Sequence, residues 1–184
     1  MSKVLFDTSS LLQFVRYYLP FDVKEELQDF LIEGFKQKEF LLLKEVENEC
    51  KRVSQGLVFE KLLKPHNISV MPFNEIITDK LHREIDNDFI ISLKKDKLEQ
   101  QEYESQKQTF IQSADFRLIH YAIQNPQCTI ITEESLAGND NKLFKKIPKI
   151  CEIKGIKCLS LPKFIQEKLK LSFVLHIKGR LPIL

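Results

Sequence analysis

The chain has 184 residues, 43% hydrophobic and 29% charged, with 28 Lys and Arg against 26 Asp and Glu and a formal net charge of +2. A chain of that length buries one substantial core, and only five Gly and seven Pro exclude a low-complexity or disordered protein. The near balance of charge gives no global basic field of the kind that marks a general nucleic-acid binder, and no apolar run approaches the roughly 18 residues of a membrane span.

Short apolar runs alternate with longer stretches of helical period, the pattern of a parallel sheet covered by helices. The first run, residues 3–6, delivers Asp7 straight into Thr8, Ser9 and Ser10, and a helix follows. Ligands of an open parallel sheet bind beyond the carboxyl ends of its strands. Asp7 therefore either stands on a reactive rim or caps the next helix, as Asp does well; this stretch alone leaves both open. A helix over 23–36 and a strand over 40–43 come next, then a helix over 45–54 within "LLLKEVENECKRV". At roughly 100° per residue, Val46, Cys50, Val53 and Leu57 form one apolar stripe. Glu49 borders that stripe, whereas Glu45 and Glu47 point progressively away. Glu49 is thus the acid expected against the sheet, its alternative being a solvated glutamate on a charged helix.

Residues 68–71 make a fifth strand candidate and 74–83 a helix. The charge-dense segment 86–107, poor in apolar residues beyond 89–93, reads as an exposed helical elaboration of the same domain. The helix over 114–124 contains "SADFRLIHYA". Ala114, Leu118, Ile119 and Ala122 make its buried face, and Asp115 projects into the middle of that face. The helix dipole and a Ser113 cap favour an acid in a first turn, but a carboxylate aimed inward requires a partner. The strand over 129–132 runs into "TEESLAGND", which places Glu133, Glu134 and Asp140 beyond a strand end. A helix over 148–154, with Pro148 in its first turn and Gly155 as its stop, precedes a strand over 158–161 and a helix over 162–170. The domain is expected to span residues 1–168. The remainder, 169–184, reads as a C-terminal extension with an extra strand.

Cys50, Cys128, Cys151 and Cys158 form no C-x-x-C pair, so neither a zinc site nor a redox dithiol is indicated; they are expected to be small core hydrophobes. The start of the chain lacks the basic segment and apolar core of a secretion signal, and a reduced, cytoplasmic setting is expected. Several carboxylates meeting at one point repel one another and raise their pKa values unless a cation neutralises them. An all-oxygen cluster suits Mg²⁺ or Mn²⁺, and water held by such an ion can attack a phosphodiester.

The order of these motifs, D-T-S after the first strand, V-x-x-E on one helix, A-D-x-x-L-I-x-x-A on another and a strand ending in T-x-E, resembles the PIN-domain superfamily. Many of its members are metal-dependent ribonucleases, among them the toxins of toxin–antitoxin pairs (VapC-like). "IITEE" followed by "KIPKICEIKGIKCLSLPKFI" is similar to a PIN-like branch of it, and the combined pattern spans roughly residues 1–168. The resemblance implies a three-layer α/β/α sandwich around a parallel sheet and a Mg²⁺- or Mn²⁺-dependent endoribonuclease acting on RNA. For a toxin it implies a cognate antitoxin, and dimers are common among similar toxins. Residue by residue, Asp7 matches the family's first acid, Glu49 the second and Asp115 the third. Glu134 falls where the last acid stands, commonly an Asp, with Asp140 as the alternative fourth acid. Ser9 and Thr132 match hydroxyl residues that support the acids. His120 replaces an often small residue and reads as a structural histidine.

RNA needs a positive approach path, for which Arg16, Lys145, Lys146 and Lys149 are the candidates, each equally readable as a solubilising surface charge. The rival expectation is a catalytically inactive PIN-like scaffold used in protein–protein or RNA binding, motivated by the apolar tail. Nucleotide-binding folds are disfavoured because no glycine-rich loop follows the first strand.

Overall fold

The computed structural model describes residues 3–136 and 142–169. Its strands are β1 (Val4–Phe6), β2 (Phe40–Leu43), β3 (Val70–Met71), β4 (Thr129–Ile131) and β5 (Lys157–Leu159). They form one parallel sheet in the order β3-β2-β1-β4-β5. β1 lies at the centre, with Leu5 opposite Leu41 on one side and Ile130 on the other. Every residue of β1 and β2 is buried, as expected of strands covered on both faces.

The helices are α1 (Thr8–Gln13), α2 (Glu26–Lys36), α3 (Lys44–Cys50), α4 (Asp79–Glu84), α5 (Ser92–Lys95), α6 (Gln100–Ile111), α7 (Ala114–Gln124), α8 (Ile147–Lys154) and α9 (Leu161–Leu169). They flank the sheet and make the three-layer α/β/α sandwich. On one side an aromatic cluster joins α2 and α9 to the strands: Phe6 and Phe40 sit 5.3 Å apart centroid to centroid, and Phe164 lies 5.5 Å from each. Gly34 lets α2 come this close, since a Cβ there would stand 2.2 Å from the Phe40 ring.

Several helix ends differ from the sequence expectation, and each has a local backbone cause. The expected 45–54 helix stops at Cys50: the Arg52 amide donates to Glu49 O at 2.9 Å in a tighter turn, and Ser54, Gln55 and Gly56 at left-handed φ values of 52°, 58° and 75° block any continuation. The expected 23–36 helix starts at Glu26, after Glu25 at φ 58°, with Asp22 accepting from the Gln28 amide at 2.8 Å. The 74–83 helix begins only at Asp79, where Thr78 Oγ1 accepts from Leu81 N. The last strand ends at Leu159 rather than 161 because Leu161 already opens α9.

The segment over 86–107 is helical and mostly exposed or half-buried, as expected, but one face of it is docked on the core. Phe89, Ile90, Tyr103 and Ile111 are buried, and Lys107 is only 6% exposed. Lys107 Nζ pairs with Asp86 at 2.5 Å, and the Tyr103 hydroxyl donates to the same carboxylate. Burial pushes the Asp86 pKa up, but these two partners outweigh it and hold the pKa below the usual carboxylate range. Ile90 also bridges to Phe144. Charge density misleads here because the charges neutralise one another inside the contact. Asp140 and residues 170–184 lie outside the described residues, and with them almost all of the expected extension.

Candidate functional site at the sheet switch point

The strand order reverses between β1 and β4, which opens a crevice at their carboxyl ends. Asp7 leaves β1 there, its amide donating to Ile131 O at 2.9 Å, and Thr132 leaves β4 beside it. Asp7 is 4% exposed. Its Oδ2 accepts from Ser9 Oγ at 2.5 Å and from Thr132 Oγ1 at 2.8 Å. The same hydroxyls accept the next two amides of the loop: Ser9 Oγ that of Glu133 at 2.9 Å, Thr132 Oγ1 that of Glu134 at 3.1 Å. The chain after β4 is thereby stitched to the acid at the end of β1. Asp7 stands at the N-cap position of α1 but makes no side-chain cap bond. Its carboxylate faces the rim, so the capping alternative does not hold.

Thr8 holds the second acid. Its hydroxyl donates to Glu49 Oε2 at 2.7 Å, bringing α3 to the start of α1. Glu49 is half-buried, as the helical stripe suggested, and Val46 and Cys50 are buried beside it. Glu47 departs from that reading. It is 8% exposed and clamped by Lys44 at 2.6 Å and by Lys51, just past the end of α3, at 2.8 Å, a lysine pair that a one-sided apolar stripe does not register. Glu45 faces Arg117 of α7 at 3.7 Å.

Asp115 occupies the first turn of α7, whose N-terminus is capped by Ser113 Oγ accepting from Phe116 N at 3.2 Å. It is half-buried among the buried Ala114, Leu118 and Ile119. Glu134 does double duty. Its Oε2 accepts the Ile147 amide at the start of α8 at 2.9 Å, and Oε1 lies 3.7 Å from Lys142. Glu133 does the same for α9, with Oε1 accepting the Leu161 amide at 2.6 Å. These capping roles are not legible in "TEE", because the helices they serve begin 13 and 28 residues later.

The acids share one electrostatic field. Burial raises the Asp7 pKa; the hydrogen bonds from Ser9 and Thr132 oppose it, and Glu49 adds to it. Burial, then the charges of Asp7 and Glu134, push Asp115 to about 7, against the pull of Lys142, with Glu49 contributing further. Among the described residues, no group of three or more His, Cys, Asp or Glu side chains is arranged to hold a metal ion as it stands. The donor chemistry nevertheless fits a hard divalent cation. The set is all carboxylate oxygen, and burial with the neighbouring negative charges holds Asp7 and Asp115 away from ionisation for want of positive charge. Asp7, Glu49 and Asp115 would hold such an ion, with Glu134 adjacent through the oxygen nearer Lys142.

The expected RNA-approach residues are mostly engaged. Arg16 is exposed and donates to Ser54 Oγ at 2.6 Å. Lys145 Nζ donates to the Asp88 carbonyl at 2.6 Å, and Lys149 pairs with Glu152 at 2.7 Å; Lys146 precedes α8 at its N-cap position. His120 is buried, edge-on to Phe73 at 5.0 Å, with its Nε2 next to Gln124 at 3.1 Å. Burial and then Arg117 lower its pKa, which suits the structural role expected of it. Next to Glu134 a cleft of about 520 Å³ opens between β5, α8 and the start of α9.

A family model described as a domain of unknown function (DUF4411) matches residues 4–172. No curated protein and no solved structure matches the chain.

Proposed function

The chain belongs to the DUF4411 family of domains of unknown function, and from its switch-point acids we propose that it is a Mg²⁺- or Mn²⁺-dependent endoribonuclease. The observation that supports this most is the convergence of acids from different elements at the strand ends, where, on top of burial, the charges of Asp7, Glu134 and Glu49 all raise the Asp115 pKa and that of Glu49 raises the Asp7 pKa. A protein that used these acids only for packing would gain nothing by facing them together. A bound divalent ion supplies the missing charge and Lewis acidity toward a phosphodiester and the attacking water.

The chain's own residues do the rest. Ser9 and Thr132 fix the Asp7 carboxylate and tie it to the β4 loop. Thr8 sets the Glu49 side chain. Below about pH 7 Asp115 carries a proton on its carboxyl, so loading the site releases that proton and improves as pH rises. Glu134 holds the first turn of α8, which keeps that helix beside the crevice. The role as toxin of a toxin–antitoxin pair, with an antitoxin partner, a homodimer and a cytoplasmic location, rests on the likeness to PIN-domain toxins. Among the described residues no helix is long and apolar enough to cross a membrane.

The test is cleavage of an end-labelled single-stranded RNA by the full chain with Mn²⁺, with chelator and with Asp7→Asn as controls. Internal cleavage that needs the ion and disappears in the variant is expected; cleavage retained by Asp7→Asn would contradict the assignment. The engagement of Glu134 as a helix cap favours one second reading, a PIN-like scaffold that binds RNA or protein without cutting. RNA retained on the native chain, uncut at saturating Mn²⁺, would select it.

A further inference from the structure

Of the four cysteines, two meet. Cys151 is buried on α8, and Cys158 is half-buried in β5, opposite Ile130 of β4. The turn between them is tight. Gly155 closes α8 in the left-handed conformation at φ 66°, and Ile156 N donates back to Cys151 O at 2.9 Å. This reversal lays the strand beside the helix and brings both cysteines onto one cleft, close enough for each thiol to perturb the other. Both line the cleft of about 520 Å³ beside Glu134 and Thr132, which gives a small solute access; Cys50 and Cys128 do not line it and are buried. The pairing escapes a search for C-x-x-C because the seven-residue spacing becomes contact only through the helix–turn–strand geometry.

We propose that Cys151 and Cys158 form a peroxide-reactive dithiol that closes to a disulfide between α8 and β5, at the edge of the acidic crevice. Cys158 is the attacking sulfur, because it is the more accessible of the two. Its thiolate attacks one oxygen of hydrogen peroxide: an S–O bond forms, the O–O bond breaks, and the departing hydroxide takes a proton to become water. The Cys151 sulfur then attacks the sulfenic sulfur. The S–S bond forms, the S–O bond breaks, and the leaving oxygen departs as water with the Cys151 proton. In sum, two thiols are oxidised to one disulfide and one peroxide is reduced to two waters. The Cys151 thiol lowers the Cys158 pKa although burial, Asp7 and Glu134 raise it, in keeping with this order of roles. The resulting bond ties the helix that Glu134 caps to the strand next to Thr132.

The experiment treats the reduced full chain with hydrogen peroxide near neutral pH, counts free thiols after denaturation and maps peptides without reduction. Trypsin cleaves at Lys154 and Lys157, so the predicted product is peptide 150–154 linked to peptide 158–163. Free thiols should fall from four to two within one chain. Four surviving thiols, a different pair, or linkage only between chains would overturn the proposal. Cys151→Ser should stop at a Cys158 sulfenic acid that dimedone traps, and Cys158→Ser should lose thiols at least about tenfold more slowly than the native chain. Equal rates in Cys158→Ser would also overturn it. The map on the native chain stands even if a variant misfolds, and neither readout uses RNA or metal, so the outcome is separable from the nuclease reading.

Discussion

At Asp115 the folded chain binds a proton far more tightly than the unfolded one: the carboxyl ionises at about 7 when folded, against an ordinary value of 3.8. Between those values the native state holds a proton that the unfolded state has lost, so metal-free stability falls as pH rises from about 4 to about 7 and stays low above it. Asp115→Asn removes that penalty. It is expected to raise the stability of the metal-free protein at about pH 8 by on the order of 2 kcal/mol, with the gain fading toward about pH 4. Urea unfolding at the two pH values measures this, and a pH-independent difference would contradict the charge argument. Ser9→Ala acts in the opposite direction. It strips a donor from a buried acid, and a loss of about 1–2 kcal/mol at neutral pH is expected. Thr8→Val leaves Asp7 untouched but frees Glu49; Mn²⁺ affinity should drop by about tenfold or more while stability changes little. Unchanged affinity would remove Glu49 from the set.

Elements here are positioned by contacts distant in sequence. Gly34 shows how tightly α2 meets the sheet. A methyl group there would stand 2.2 Å from the Phe40 ring, which is itself held by Phe6, Phe35 and Phe164. Gly34→Ala is therefore expected to destabilise by about 1–3 kcal/mol, read as a lower urea midpoint at unchanged slope. α8 and α9 each start on a glutamate of the β4 loop. Loss of either cap should cost about 1 kcal/mol, and Glu134→Gln should lower cleavage less than Asp7→Asn does. An effect of Glu134→Gln as large as that of Asp7→Asn would place Glu134 among the principal metal ligands. Helix ends were the least legible feature of the sequence. The Ser54–Gln55–Gly56 left-handed turn follows no proline and only a terminal glycine, so periodicity alone carried the expected helix up to its first residue.

Across the whole molecule, what could be read in advance was what depends on local pattern. Continuous apolar runs at 40–43 and 129–132 gave the buried strands, and the inward aim of Asp115 on α7 marked a charge in need of a partner. What could not be read depends on closure. Sheet order, with β1 between β2 and β4, is set by which helices pack where, and it alone makes Asp7 and Thr132 neighbours. The burial of Lys107 against Asp86, the capping by Glu133 and Glu134, and the meeting of Cys151 with Cys158 are likewise products of the assembled fold. The proposed nuclease function requires that the switch-point acids bind a divalent cation. Calorimetric titration of the full chain with Mn²⁺ at about pH 6 and about pH 8, beside Asp7→Asn, tests it most directly. Binding that releases protons, tightens at the higher pH and vanishes in the variant is expected. Absence of binding at millimolar Mn²⁺, or equal binding by Asp7→Asn, would contradict it.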